Sequence, residues 1–189
     1  MNENHETRIE RHQARNCRFC EWFRESESKN EGWNKFVKDE GYRLIEPNIE
    51  KGIPEAPPSY IVLLTLEPKV AGHTLAIWKE PYDDICDASE DAIKQISKVL
   101  SCYSRRIKEK LQAEKVYVNT MCDHFEKWEL KTESQPTTEH LHFHLLPRYP
   151  GSPKGEGLFC LPYKKAGVDW EASPIALKEL ARLLRDDRT

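Results

Sequence analysis

The chain has 189 residues, of which 38% are hydrophobic and 32% are charged, with a formal net charge of −3. Its 29 basic and 32 acidic side chains are interspersed, so there is no broad basic field, and binding to bulk nucleic acid is disfavoured. No apolar run approaches the length of a membrane span and the N-terminal segment is polar, which predicts a cytoplasmic protein that does not bind membranes.

The N-terminal third predicts an arm followed by a segment that packs on a sheet. Residues 1–16 are charged and have no clear apolar period, which indicates an N-terminal arm. Residues 17–38 carry several aromatic side chains and favour an amphipathic segment. Residues 41–58 begin as a strand candidate and then become a Pro-rich loop, because proline is excluded from a central strand or a helix interior.

The middle of the chain predicts a β-hairpin, a long helix and a further strand. Tyr60–Leu66 and Thr74–Trp78 are apolar runs separated by a Pro- and Gly-containing turn, which is typical of a hairpin. Residues 87–113 have apolar side chains at three- and four-residue steps, with Asp87 or Ser89 as the candidate N-cap. Val116–Asn119 predicts the next strand.

The C-terminal third predicts a loop, a strand and a short helix. Residues 122–138 are polar and irregular, and long loops of this kind often shape binding sites. Residues 151–189 predict a loop and a helix over 174–186 that pack on a main domain spanning 17–150. The order of elements indicates an α+β fold with an antiparallel sheet and helices on one face.

Three histidines alternate with apolar residues just before Pro147: His140, His142 and His144. In a β-strand alternate side chains point to the same face, so the three imidazoles are expected on one side and the apolar residues in the core. Imidazole titrates near neutral pH, binds metals and acts as nucleophile, acid or base. The pattern therefore predicts a chemical site.

Four segments in a fixed order carry a family resemblance. They are the triad strand 140–148, the hairpin 63–77 with its Gly-His-Thr-Leu, the Cys-x-x-Cys at 17–20, and the strand 116–119 ending in Asn. The set resembles the histidine triad (HIT) family of nucleotide hydrolases and transferases, in particular its bacterial, diadenosine polyphosphate hydrolase-like members. The resemblance implies a HIT-like antiparallel sheet with a long helix and a C-terminal helix, and a homodimer.

The resemblance also implies an activity and the residues that carry it. His142 is then the nucleophile toward the α-phosphate of a dinucleoside polyphosphate or a nucleoside phosphoramidate, through a covalent nucleotidyl intermediate. His144 contacts the phosphoryl oxygens, and His73 stabilises negative charge. The implied substrate-binding residues are Asn119, Thr137 and Thr65.

A metal site is the second implication of the resemblance. Zinc-containing members use the Cys pair, the first triad histidine and a further histidine, and Cys17, Cys20 and His140 match the first three. The fourth place falls near Pro81, where there is no histidine. A zinc ion here would be structural, and the chemistry itself requires no cofactor. The other interpretation is that Cys17 and Cys20 are packed free thiols.

Two other functions fit the same residues. One is a metal-dependent hydrolase in which the histidine cluster binds a catalytic metal, although no carboxylate other than Glu139 accompanies the triad in sequence. The other is a non-catalytic nucleotide-binding protein that has kept the fold. Replacing His142 with Ala would distinguish a non-catalytic binding protein from an enzyme. Activity that resists a chelator would distinguish nucleophilic catalysis from metal catalysis.

Overall fold

The computed structural model describes residues 17–23, 31–120 apart from 53, 56, 57 and 67, 140–152, 173–185, and the single residues 7 and 10. Apart from residues 7 and 10, the predicted arm over 1–16 lies outside the described residues. The predicted loop over 122–138 and most of the connection after residue 150 also lie outside them. Among the described helices, none is long and apolar enough to cross a membrane.

The described strands form one five-stranded sheet in which every neighbouring pair is antiparallel. Its spatial order is β1-β2-β3-β5-β4. The strands are β1 Leu44–Glu46, β2 Tyr60–Leu64, β3 Thr74–Trp78, β4 Lys115–Thr120 and β5 His142–Arg148. Together with the helices, this sheet confirms the predicted α+β fold, and the predicted hairpin is the β2–β3 pair.

Four described α-helices accompany the sheet: α1 Arg18–Phe23, α2 Glu31–Glu40, α3 Glu90–Leu111 and α4 Pro174–Arg185. The long helix α3 is shorter at both ends than predicted. Its N-cap is Ser89, whose hydroxyl accepts from the Ala92 amide. Asp87 belongs instead to a preceding 3₁₀ turn, where it completes a capping box with Asp84.

Helices cover both faces of the sheet, so the predicted one-sided arrangement is wrong. All five residues of β3 are buried, and a strand that is apolar on both sides must be covered on both. Helices α3 and α4 share one buried cluster with alternate strand residues, and α1 and α2 share the other. Strand residues of the first cluster include Val62, Leu64, Ala76, Trp78 and Phe143, and those of the second are Leu44, Ile61, Leu63, Leu75 and Ile77.

The turn between β2 and β3 holds His73 at the start of the hairpin's second strand. Thr65 donates its amide to the His73 carbonyl at 3.1 Å, one residue beyond the end of β2. Gly72 has a φ of +79°, a region that L side chains rarely adopt. A Cβ at Gly72 would overlap Leu111 Cδ1 and would lie 3.3 Å from the Tyr149 hydroxyl. The turn therefore requires glycine for two separate reasons.

We predict that Gly72→Ala lowers the free energy of unfolding by about 1–3 kcal/mol, from backbone strain and from the contact with Leu111. Gly151→Ala is the matched control, because Gly151 has a φ of +81° and no atom lies within 4 Å of the place that a Cβ would take there. Urea unfolding of both variants measures the difference. Equal losses in the two variants would show that the close approach at Gly72 costs nothing.

Candidate active site

Strand β5 places two of the three triad histidines beside its neighbours β3 and β4. His142 lies opposite Ile77 and His144 opposite Leu75 of β3, while Asn119 of β4 lies opposite His144. Paired residues in an antiparallel ladder share a face, so Asn119 and His144 are neighbours. His140 differs from the prediction, because it precedes the strand, which begins at His142.

The tautomer of His142 is fixed by a backbone carbonyl. His142 Nδ1 lies 2.7 Å from the carbonyl oxygen of His140. A carbonyl can only accept a hydrogen bond, so Nδ1 carries the proton and Nε2 carries the lone pair. The His142 side chain is buried, and Thr120 donates its hydroxyl to the His142 carbonyl at 2.8 Å. The backbone on both sides of this imidazole is thereby held in place.

A second backbone group fixes the other end of a chain of histidines. The Lys69 amide donates to His73 Nδ1 at 3.2 Å, which leaves the proton of the neutral ring on His73 Nε2. That N–H donates to His144 Nδ1 at 2.9 Å, and His144 Nε2–H then donates to His142 Nε2 at 3.0 Å. The protons assigned from the His142 end and those assigned from the His73 end agree for all three rings.

All three rings of the chain are held in the neutral form. Burial lowers the pKa of His73 to about 3, and the nearby Lys69 charge adds to the effect. Burial and the neighbouring His73 lower the pKa of His144 to about 2. Burial also lowers the pKa of His142, although its bond to the His140 carbonyl acts in the opposite direction. At neutral pH, His142 Nε2 is therefore an unprotonated nitrogen.

The hydrogen bonds of His73 give it a positioning role within the chain of histidines. Both of its ring nitrogens are engaged, one by the Lys69 amide and the other by His144. Its side chain is 2% exposed and its pKa lies far below neutrality. In this arrangement His73 orients His144, and stabilisation of negative charge by His73 stays a prediction.

His140 belongs to a different cluster, together with the two N-terminal cysteines. His140 Nε2 lies 2.6 Å from the Trp78 carbonyl, so the proton is on Nε2 and the lone pair is on Nδ1. Nδ1 lies 3.3 Å from Cys20 Sγ and 3.7 Å from Cys17 Sγ. The three donor atoms all lie within 4.8 Å of one another.

This donor set matches three of the four positions of a structural zinc site. Sulfur and imidazole are the ligands that zinc prefers, and the lone pair of His140 points toward the sulfurs. Among the described residues no further His, Cys, Asp or Glu joins the group. The described part of the chain thus brings three candidate ligand atoms together, and a zinc ion bound by Cys17, Cys20 and His140 stays a prediction.

Phe19 connects the two clusters, and no pattern in the sequence pointed to it directly. Its ring lies edge-on to His142 with the centroids 5.1 Å apart, and its centroid is 5.9 Å from that of His140. Its position inside the Cys17–Cys20 motif was the one available signal. The contacts of the Lys69 amide and the Trp78 carbonyl had no such signal, because any residue type supplies those backbone groups.

The structure describes two of the three substrate-binding residues that the resemblance predicts. Asn119 lies next to His144 through the β4–β5 register. Thr65 is half-buried at the end of β2 and bonded through its amide to the His73 carbonyl, which places it at the same end of the sheet. Thr137 lies outside the described residues.

The antiparallel sheet carries His142 and His144 on β5, with His73 in the turn just before β3. The sequence model of the HIT domain matches residues 46–151, which is more than half of the chain. This protein therefore belongs to the HIT family, a class of nucleotide-binding proteins that includes nucleotide hydrolases and transferases. No curated protein matches it.

A similar solved structure supports the fold over most of this chain. It is a hypothetical histidine triad nucleotide-binding protein from Sulfolobus tokodaii strain 7, 20% identical with a TM-score of 0.54, covering 89% of each chain. A Hit-like protein involved in cell-cycle regulation from Bartonella henselae is 23% identical, with a TM-score of 0.46 and coverage of 72% and 89%. The diadenosine triphosphate hydrolase of Plasmodium falciparum, solved with cyclomarin A, is 14% identical, with a TM-score of 0.49 and coverage of 76% and 74%.

We predict that His73 makes stability fall in acid. Its pKa is about 3 in the folded protein and near 6.5 when exposed, so its contribution is complete above pH 6.5 and is lost as the pH falls toward 3. His73→Asn keeps an acceptor for the Lys69 amide and cannot titrate. Urea unfolding across this pH range should give a smaller loss for the variant than for the parent chain. Parallel curves would contradict the buried neutral assignment.

Proposed function

We propose that this protein is a nucleotidyl hydrolase or transferase in which His142 Nε2 attacks the α-phosphate of a dinucleoside polyphosphate or a nucleoside phosphoramidate. The supporting observation is the 2.7 Å bond from His142 Nδ1 to the His140 carbonyl. It leaves the lone pair on Nε2, and the lowered pKa keeps that nitrogen unprotonated at neutral pH. A neutral imidazole with a fixed tautomer is what nucleophilic attack on phosphorus requires.

The chemistry proceeds in two steps. In the first, an N–P bond forms at His142 Nε2 while the bond from phosphorus to the leaving oxygen or nitrogen breaks. In the second, water attacks the same phosphorus, breaks the N–P bond and releases the nucleoside monophosphate. The bond from His142 Nδ1–H to the carbonyl stabilises the positive charge that the ring acquires when Nε2 becomes covalently attached.

His144 has a different partner when substrate is bound. In the free protein its Nε2–H donates to the lone pair that the reaction needs. A phosphoryl oxygen is a stronger acceptor because it is charged, so it takes this donor and releases His142 Nε2 for attack. His73 keeps its bond to His144 Nδ1 throughout, which holds the Nε2–H directed at the phosphate.

Asn119 and Thr65 complete the part of the proposed binding site that the structure describes. Asn119 lies beside His144 and offers an amide donor to the phosphate or the leaving group. Thr65 offers one hydroxyl to the ribose. It makes fewer contacts there than a carboxylate, which can accept from two ribose hydroxyls. Thr137 remains proposed, from the resemblance alone, as a donor to the leaving group.

The histidine chain favours nucleophilic over metal catalysis. In the described residues, three converging His, Cys, Asp or Glu donors are found only at Cys17, Cys20 and His140, not at the triad pair. The nitrogen lone pairs of His73, His144 and His142 are each taken by a neighbouring N–H. A catalytic metal at His142 and His144 would have to break this chain.

Intact-protein mass spectrometry after brief mixing with diadenosine polyphosphate or an adenosine phosphoramidate tests the proposal. We expect a transient gain of one adenylyl group, unaffected by a chelator. In His142→Ala the adduct should be absent and turnover reduced by about ten-thousand-fold, because the nucleophile is gone.

His144→Gln is the graded comparison, since it keeps an N–H donor near the phosphate, and it should slow the reaction without abolishing the adduct. A fully active His142→Ala would overturn the covalent mechanism. A nucleotide that binds without any adduct or turnover would support the non-catalytic alternative.

We also propose that Cys17, Cys20 and His140 hold a structural zinc ion. The geometry supports three of its bonds, and a ligand from outside the described residues or a water supplies the fourth. Bound zinc would stabilise the contact between α1 and the residues preceding β5. It takes no part in the reaction. Thiolate ligands require a reducing compartment, which supports the predicted cytoplasmic location.

A homodimer is part of the same proposal, and strand β4 supports it. It is the edge strand beside β5, and it exposes Val118, which is 44% accessible. Within the described residues this six-residue strand has a sheet neighbour on one side only, and a second copy can add to the sheet along the other. Such pairing would bring the two sites of Asn119 and His144 close to the interface.

Native mass spectrometry tests the zinc and the dimer together. We expect a species of two chains with one zinc per chain. Cys20→Ser should lose the metal while leaving the dimer, because Cys20 lies on α1 and not on the sheet edge that β4 forms. Cys86→Ser is the matched control, since Cys86 is an exposed free thiol and should leave the metal content unchanged. A metal-free parent chain purified under reducing conditions would contradict the zinc assignment.

A further inference from the structure

We propose that Cys17 and Cys20 are also a modification site, a dithiol that a hydroperoxide oxidises to a disulfide, and that this oxidation displaces the imidazole of His142. The inference extends the proposed function to its regulation. It rests on that function for its kinetic readout only, because the displacement is also measurable in the histidine rings themselves.

The two thiols are arranged for a local disulfide. They are separated by two residues, the spacing of oxidisable Cys-x-x-Cys motifs. Their sulfurs lie within 4.8 Å of each other, and the Cys20 amide lies 3.5 Å from Cys17 Sγ. A disulfide needs an S–S distance of about 2.0 Å, so the two sulfurs must approach each other, which alters the contacts that both make with His140 Nδ1. Cys20 is half-buried and reachable, whereas Cys17 is 4% exposed.

Oxidation at this pair reaches the nucleophile by two short routes. Phe19 lies between the cysteines in sequence, and its ring packs on His142 with a centroid separation of 5.1 Å. His140 contacts both sulfurs through Nδ1, and its own carbonyl accepts from His142 Nδ1. Any movement of Cys17 and Cys20 toward each other therefore changes contacts on the face of the His142 ring and at its fixed nitrogen.

The packing around these residues leaves little space to absorb such a movement. Phe19, His140 and His142 are each at most 4% exposed, and close-packed interiors transmit displacements to neighbouring groups. A misplacement of a reacting group by about 1 Å can cost about 100-fold in rate. Closing the disulfide requires sulfur movement on that scale.

The oxidation balances with a hydroperoxide as the oxidant. The accessible Cys20 thiol attacks one peroxide oxygen, the O–O bond breaks, and a sulfenic acid and one water form when hydrogen peroxide is used. The Cys17 sulfur then attacks the Cys20 sulfur, forming the S–S bond and releasing a second water. Two thiols lose two electrons and two protons, and one peroxide becomes two waters. A zinc ion on the same sulfurs must leave before the disulfide closes, so zinc should slow the oxidation.

The test uses the full chain with Cys86, Cys102, Cys122 and Cys160 replaced by Ser, so that only the proposed pair can react. The reduced protein is treated with hydrogen peroxide, with and without prior zinc loading, and then with a thiol reductant. We expect a mass loss of two hydrogens, and a rate of His142 adduct formation that falls by up to about 100-fold and returns on reduction. The nitrogen chemical shifts of the His142 ring should change in step.

Two variants isolate the route through the ring. Phe19→Leu should reduce the effect of oxidation on the His142 nitrogen shifts, because the smaller side chain transmits less of the movement. Phe23→Leu is the matched control, since Phe23 is an equally buried aromatic of the same helix, at 4% exposure. In this variant, oxidation should change the His142 nitrogen shifts as much as it does in the parent chain.

The outcomes separate this inference from the proposed function. A disulfide that forms without changing either the adduct rate or the His142 shifts overturns the coupling. Failure of the pair to oxidise in the metal-free protein overturns the modification site. If no substrate gives turnover, the proposed function fails, and the shifts of His142 on oxidation and reduction still decide the inference.

Discussion

The hydrogen bond from His142 Nδ1 to the His140 carbonyl determines the chemistry of the whole site. The two residues are two positions apart, where the chain enters β5. The bond places the proton on Nδ1 and leaves the lone pair on Nε2. His140 can hold that carbonyl in place because its own ring is bonded to the Trp78 carbonyl and lies against two sulfurs. The reactivity of one imidazole thus depends on how firmly its predecessor is packed.

Burial of the sheet on both sides has an electrostatic consequence. Helices α1 and α2 cover the face that carries the histidines, and they remove water from rings that would otherwise titrate near pH 6.5. A protonated ring in such surroundings is costly, so the rings stay neutral and satisfy one another by hydrogen bonds. The aromatic N-terminal segment therefore has an influence on reactivity, although none of its side chains reacts in the proposed mechanism.

The periodic parts of the fold were readable from the sequence, and the contacts made by backbone groups were not. Continuous apolar runs located the strands around Ile61 and Ile77, period-two alternation located the strand around Phe143, and the three- and four-residue steps located α3. The fully apolar β3 was a sign of two covered faces that a one-sided interpretation missed. The resemblance named His73 as a site residue and the sequence predicted its turn, but its hydrogen bond to the Lys69 amide was unreadable, because any residue type supplies that backbone group.

In the proposed mechanism, the bond between His144 Nε2 and His142 Nε2 also affects which compounds can reach the nucleophile. An exposed imidazole lone pair is open to alkylating, acylating and metal-bearing species throughout the cell. Here an N–H covers it, and an anionic oxygen at the right position is the acceptor best able to take that donor away. Discrimination among electrophiles consequently begins before any contact with a base or a sugar. It favours anionic acceptors first, so neutral electrophiles compete poorly for the covered nitrogen even when they are small enough to enter.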